Sequence, residues 1–230
     1  MNDSIIKKHL QAVSLFKGLS GEEIDPIVGI SNVKAYQPGT FVFMQDEPLD
    51  RVFFIYSGKV KIHKSDMSGK EQIVSVLEAG DMFPHAGFFR EGNFPAHAEV
   101  LETSELIVIP VQKFEDILLE YPELCVKMFR VLGEKILDLQ SRLEEKILRN
   151  TYEQIVMLLL RLAQSNGVKS KEQYYRLTSP FTNQELANMI GTSRETVNRT
   201  LNQLRKRGMI ERDGEGYFLL DTEKLEEEIL

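Results

Sequence analysis

Arg194, Glu195 and Arg199 stand close together in the stretch SPFTNQELANMIGTSRETVNRTLNQLRKRGMIERDGEGYFLL, Ser179 to Leu220, and their types suit recognition of nucleobase edges. A guanidinium donates two hydrogen bonds to guanine O6 and N7, and a carboxylate accepts one from cytosine N4. That chemistry needs the three groups at one exposed helix end, and the residues around them predict such a placement. Thr182 caps a first helix, with Glu185 completing a capping box, and Ser193 caps a second. Leu186, Ala187 and Ile190 form the buried side of the first helix; Val197, Leu201 and Leu204 form that of the second. Gly191 supplies a left-handed turn between them, Gly208 ends the second helix, and Gly214-Glu215-Gly216 turns a two-stranded wing. With the apolar positions inward, Arg194, Glu195, Asn198, Arg199, Asn202 and Arg205 remain outside. Thr182, Asn183, Gln184, Ser193 and Thr196 are hydroxyl or amide donors near helix N-termini, suited to phosphate oxygens.

Charge is distributed unevenly. The 230 residues carry a formal net charge of −7, which argues against indiscriminate binding to polyanions. Residues 1–149 hold a net of −6, whereas residues 191–212 hold Arg194, Arg199, Arg205, Lys206, Arg207 and Arg212 against Glu195 and Glu211, a net of +4. The basic face is therefore local. The longest apolar run, IVMLLL from Ile155 to Leu160, is six residues, far short of the roughly 20 that cross a bilayer. The opening MNDSIIKKHLQAV has no apolar stretch with a small-residue cleavage site, so a cytoplasmic protein with no membrane partner is expected. The single Cys125 excludes an internal disulfide and cannot alone supply the roughly four thiolates of an iron–sulfur cluster; it is expected to be buried packing.

The elements that must position the basic segment follow three textures. To about residue 113, short apolar runs separated by turn residues predict an antiparallel sandwich or jelly roll. A helix from about Ile5 to Phe16 precedes it, with a second after Ser20, where Ser20 and Glu23 fit a capping box. A long helix then runs from about 122 to 149. On it Met128, Leu132, Ile136, Leu139, Leu143 and Ile147 recur close to a heptad, predicting the seam of a homodimer. Asn150-Thr151 reads as a cap and hinge, Tyr152 to about Ser165 as a helix stopped by Asn166-Gly167, and VKSKEQYYRL as a polar connection. The expected fold is α+β: an N-terminal β-jelly-roll, a long central dimerisation helix and a C-terminal winged helix-turn-helix, with domains at 1–149 and 150–230.

A second candidate site is GDMFPHAGFFREGNFPAHAEV, Gly80 to Val100. Its glycine-rich start and short loop suit a phosphate, yet its one Arg, Arg90, stands beside Glu91. His97 and Glu99 fall on one face of a strand, and His85 would complete a two-His-one-carboxylate set, giving an alternative metal- or haem-dependent jelly-roll sensor or enzyme. The His-x-His spacing of such metal sites is absent, and His9 and His63 fit no constellation. No nucleophile arrangement is evident, so neither an enzyme nor a resident cofactor is expected.

Thr192-Ser-Arg-Glu-Thr-Val-Asn-Arg199 resembles the recognition-helix signature of the Crp/Fnr family of bacterial transcription regulators. The likeness spans nearly the whole chain, including Gly58, Gly69 and Gly80-Asp81 of the roll. It implies that Arg194, Glu195 and Arg199 read bases, that the partner is double-stranded DNA carrying a palindrome with TGTGA-like half-sites, and that a homodimer does the reading. It also puts Ser165 to Arg176 where the family can touch RNA polymerase. Family members that bind cyclic AMP grip it with a Gly-Glu pair, an Arg-Ser-Ala and a Thr-Ser pair. The matching positions here are Pro84-His85, Phe94-Pro95-Ala96 and Leu139-Gln140. Phe94 stands in place of the phosphate-neutralising Arg, and Pro95 lacks a backbone N–H. Burying a phosphate there without a cation is costly, so cyclic AMP is not expected to bind in the usual manner.

Overall fold

The computed structural model describes residues 3–16, 19–66, 69–86, 88–89, 91–171 and 174–229; Arg90 lies outside them. Two compact units divide the chain, Met1–Asp138 and Leu139–Leu230, parting inside the long helix.

The first unit opens with α1 (Asp3–Ala12), a 3-10 turn (Ser14–Phe16) and α2 (Gly21–Gly29). Ser20 caps α2: its Oγ accepts the Glu23 N–H at 3.3 Å, while Glu23 Oε2 accepts the Ser20 N–H at 2.7 Å. Strands β1 (Asn32–Tyr36), β2 (Phe41–Phe43), β3 (Arg51–Ser65), β4 (Glu71–Leu77), β5 (Met82–Phe83) and β6 (His97–Pro110) build one antiparallel sheet ordered β1-β6-β3-β4, with β2 on β6 and β5 on β3. The long β3 bends near Gly58, which has φ 91° and where a Cβ would stand 2.1 Å from Ser104 Oγ. That hydroxyl accepts the Lys59 N–H at 3.1 Å, so only glycine allows the strands to meet this closely.

Both faces of the sheet are covered, which explains apolar runs such as VFFI. Val52 and Phe54 of β3, with Ile107 and Ile109 of β6, face α1, α2 and α3 (Val111–Glu120). Phe53 and Ile55, with Leu106 and Val108, face the interior of the roll, where Phe43, Phe83 and Phe94 meet them. Leu124 and Met128, from the start of α4 (Pro122–Leu148), belong to the first of these clusters, and Leu132 and Cys125 are half-buried against it. Met128 and Leu132 of the expected seam thus serve their own unit's core, because the start of α4 packs on α-helical and sheet residues of the roll. Cys125 is only partly covered rather than buried.

The second unit holds the end of α4, α5 (Thr151–Asn166), β7 (Gly167–Lys171), β8 (Tyr174–Leu177), α6 (Asn183–Ile190), α7 (Arg194–Lys206), β9 (Ile210–Arg212), β10 (Phe218–Asp221) and α8 (Thr222–Glu227). Asn150 caps α5 through a full capping box with Glu153. The expected two-stranded wing is part of a four-stranded sheet ordered β7-β8-β10-β9. The stretch read as a polar connection contributes β7 and β8: Tyr175 pairs with Leu220 and Arg176 with Leu219. β7 pairs with the adjacent β8, but β8 joins β10 across more than 40 residues, a pairing of which the local pattern carried little sign. Among the described residues no helix is long and apolar enough to cross a membrane.

Candidate nucleic-acid interface

The turn between α6 and α7 has the predicted chemistry. Gly191 adopts φ 76°, ψ 42°, and its N–H and that of Thr192 both donate to the Ala187 carbonyl, at 2.8 and 3.1 Å. Thr182 and Glu185 form the expected capping box on α6, and Ser193 Oγ accepts the Thr196 N–H at 3.1 Å to cap α7. Val197, Thr200, Leu201 and Leu204 are buried, leaving Arg194, Glu195, Asn198, Arg199, Asn202 and Arg205 exposed on the opposite side. A groove of about 680 Å³ is lined by Glu195, Asn198, Arg199, Asn202, Gln203, Lys206 and Arg207. Hydrogen bonds at the N-terminus of α7, including one from Ser193, hold the Glu195 carboxyl below the usual range, so it remains an anionic acceptor at neutral pH.

The expected phosphate-contacting groups already make hydrogen bonds within the head. Thr182 Oγ1 donates to Glu185 at 2.7 Å, Ser193 and Thr196 hydroxyls share a bond of 3.0 Å, Gln184 donates to Asn188 at 2.8 Å, and Asn183 donates to Asn198 at 3.1 Å. Each amide has a second N–H, so Asn183 and Gln184 can meet a phosphate without breaking these bonds.

The structure also sorts the basic segment. Arg207 pairs with Glu228 and donates to Tyr152 Oη at 3.3 Å. Arg212 donates to the carbonyls of Gly216 at 2.7 Å and Phe181 at 3.0 Å and lies 4.0 Å from the centre of the Phe218 ring. Arg176 binds Asp213 at 2.6 Å and Glu215 at 2.7 Å. Arg207 and Arg212 therefore brace the head. Spacing in the sequence could not separate them from Arg194, Arg199, Arg205 and Lys206, because Tyr152 and Glu228 reach Arg207, and Phe181 reaches Arg212, from distant parts of the chain.

In the roll, Phe94 is 2% exposed and stacks on Phe43, with ring centres 3.7 Å apart and planes at 6°. Its N–H donates to the Glu47 carbonyl and its own carbonyl accepts from Asp46, both at 2.9 Å. Pro84 is buried and Pro95 exposed. Burial, assisted by Lys135 of α4, pushes the His85 imidazole down to about 4, and burial raises Asp81, whose carboxylate accepts the Glu78 N–H at 3.0 Å. At neutral pH His85 is uncharged. Leu139 and Gln140 are exposed residues of the second unit.

The surroundings of His97 and Glu99 do not form the metal set with His85. His97 and Glu99 do share a face of β6, but the groups beside them come from β3 and β4. Lys61 lies opposite Glu99 and His63 opposite His97 in the β3–β6 register. Lys61 Nζ is 2.8 Å from Glu99 and 3.1 Å from Glu71, His63 Nε2 is 3.5 Å from Glu99, and His97 Nδ1 accepts the Gln45 N–H at 3.1 Å. The cation between Glu71 and Glu99 is the Lys61 ammonium, and the charge acting on His85 is that of Lys135. Among the described residues no group of three His, Cys, Asp or Glu side chains is arranged to hold a metal ion. His63 joins a constellation after all. Its period-two spacing from Lys61 was visible in the sequence, but the register across to β6 was not.

Beyond Leu132, the face of α4 is uncovered in the single chain: Ile136 and Leu139 are 56% exposed, Leu143 61% and Ile147 71%.

A β-roll, a long helix and a winged helix-turn-helix in one chain define a helix-turn-helix DNA-binding protein. Residues 33–121 match the cyclic nucleotide-binding domain, and residues 153–228 match the Crp-like helix-turn-helix domain. The chain is 27% identical over 216 residues to the CRP-like cAMP-activated global transcriptional regulator of Mycobacterium tuberculosis, covering 94% of this chain and 96% of that protein. It is 27% identical over 203 residues to the anaerobic regulatory protein of Bacillus subtilis, covering 88% and 85%. A CooA variant from Carboxydothermus hydrogenoformans matches with a TM-score of 0.74 at 25% identity, covering 93% of this chain and 92% of that one. The chain belongs to the Crp/Fnr family: it is a DNA-binding transcription regulator and not an enzyme.

Proposed function

We propose that the protein acts in the cytoplasm as a homodimer that reads a palindrome with TGTGA-like half-sites through Arg194, Glu195 and Arg199, without control by cyclic AMP in the usual manner. The observation that carries this reading is the division of α7 into a buried side of Val197, Leu201 and Leu204 and an exposed side with the trio at its N-terminal end. One short helix contacts few base pairs, so two heads about one helical turn apart, roughly 34 Å, supply affinity and match the symmetry of a palindrome. The uncovered Ile136, Leu139, Leu143 and Ile147 support a seam with a second copy along α4. On this reading residues 1–149 are the sensor with its dimerisation helix and residues 150–230 the reading domain. Ser165 to Arg176, which takes in β7 and most of β8, is the candidate contact with RNA polymerase.

The relatives named above include a cAMP-activated regulator and an anaerobic regulatory protein, so likeness to them selects no single signal. Phe94 supports independence from cyclic AMP because its ring is part of the roll's core rather than a wall of a polar pocket. His85 adds no positive charge near neutral pH. The test is titration of a palindromic duplex with wild-type protein and with Arg194→Ala combined with Arg199→Ala. Each bidentate contact to guanine discriminates by about 1–3 kcal/mol, so the double variant should lose specific binding by about a hundredfold or more. Equal affinity for the palindrome would sink the assignment of the trio, and micromolar binding of cyclic AMP in a calorimeter would sink the statement about the effector.

A further inference from the structure

The last turns of α4 are tied to the helix-turn-helix at one defined atom. Lys146 Nζ donates to the Ile190 carbonyl oxygen at 2.9 Å and approaches Gln154 Oε1 at 3.4 Å. Ile190 is the final residue of α6, directly before the Gly191 turn. Carbonyls in a last helical turn lack partners within the helix and form the negative end of its dipole, so an ammonium there is favourably placed. Other bonds brace the same corner. Glu145 receives Arg161 Nη1 on both oxygens, at 2.8 and 2.6 Å, Arg149 donates to the Ile229 carbonyl at 3.3 Å, and Gln154 donates to the Arg149 carbonyl at 2.7 Å. Lys146 differs from these in reaching past α5 to the turn that orients α7.

We infer that Lys146 is a positioning residue for DNA reading, clamping the end of α6 to the end of the dimer helix. The Asn150-Thr151 corner is then a braced elbow rather than a free hinge. The inference rests on the dimeric reading proposed above: if two copies join along α4, each clamp fixes how its head is held relative to the seam, and so the half-site spacing the pair accepts. Lysine suits the role because its flexible stem brings a compact charge to a single carbonyl.

The experiment measures binding by fluorescence anisotropy to duplexes with the preferred half-site spacing, with one base pair more or fewer, and with a single half-site. Wild-type protein, Lys146→Met and Lys146→Arg are compared. The methionine variant should lose about two- to fivefold of the spacing preference, the scale of an exposed charge at a helix end. Its affinity for a single half-site should be unchanged, and the arginine variant should restore the preference. Full preference in Lys146→Met would overturn the inference. So would a parallel loss on the single half-site, which would make Lys146 a support of the head's own fold. Amide exchange of Gly191 and Thr192, followed without DNA, should quicken by a similar factor in Lys146→Met, and unchanged exchange would also overturn the clamp. Wild-type protein that binds none of the duplexes would refute the reading of the head, and exchange would then decide the clamp alone.

Discussion

Replacing His85 with glutamine should reduce the loss of stability between pH 7 and pH 5 by about 2 kcal/mol. Burial, with Lys135 as the secondary cause, lowers the imidazole from 6.5 to about 4 in the folded protein. Between those values the unfolded chain holds a proton that the folded chain refuses, so the contribution is complete above 6.5 and disappears as the pH falls toward 4. At pH 5 the unfolded imidazole is almost fully protonated and the folded one about one-tenth, a difference worth about 2 kcal/mol; at pH 7 it is a few tenths. Glutamine keeps a polar side chain and takes up no proton. His9 and His63, lowered by burial, and Asp81, raised by it, are present in both proteins and cancel in the comparison. Urea denaturation followed by circular dichroism at pH 5, 6 and 7, at one protein concentration, measures the difference. Parallel curves for the two proteins would refute a buried neutral imidazole at this position.

Six other substitutions separate the roles of the core, the seam and the head. Phe94→Ala should lower stability by about 3–5 kcal/mol in the same assay, because a fully enclosed ring is removed from the roll. Phe94→Arg should destabilise without creating cyclic AMP binding in a calorimeter, since the new charge would enter an apolar core. Leu143→Glu should shift sedimentation from dimer to monomer, whereas Met128→Ala should cost about 2–5 kcal/mol of folding stability and leave the dimer intact. Lys206→Gln should reduce the slope of log affinity against log salt by about 1 if it meets a phosphate, while Arg207→Gln, removing a cation already paired with Glu228, should leave it unchanged.

The head was legible because its information is local. Capping boxes, a glycine turn and a 3.6-residue apolar period act within a few residues of one another, so Thr182, Gly191, Ser193 and the inward set on α7 could be read in order. The roll's short apolar runs between turn residues and the cap at Asn150 were legible for the same reason. Features that required distant partners were not. The chain places Lys61 and Glu99, or His63 and His97, dozens of residues apart, and only strand register puts an ammonium beside Glu99, the one carboxylate of the metal set formed with His85 and His97. Met128 and Leu143 look alike in a heptad, but only packing covers one and leaves the other exposed. Arg199 and Arg207 are both basic in the sequence; Glu228, arriving from the far end of the chain, engages Arg207 alone of the two. The sequence by itself determined local conformation and the chemistry on offer. Tertiary structure decided which charges are already matched, because electrostatic partnership depends on distance in space.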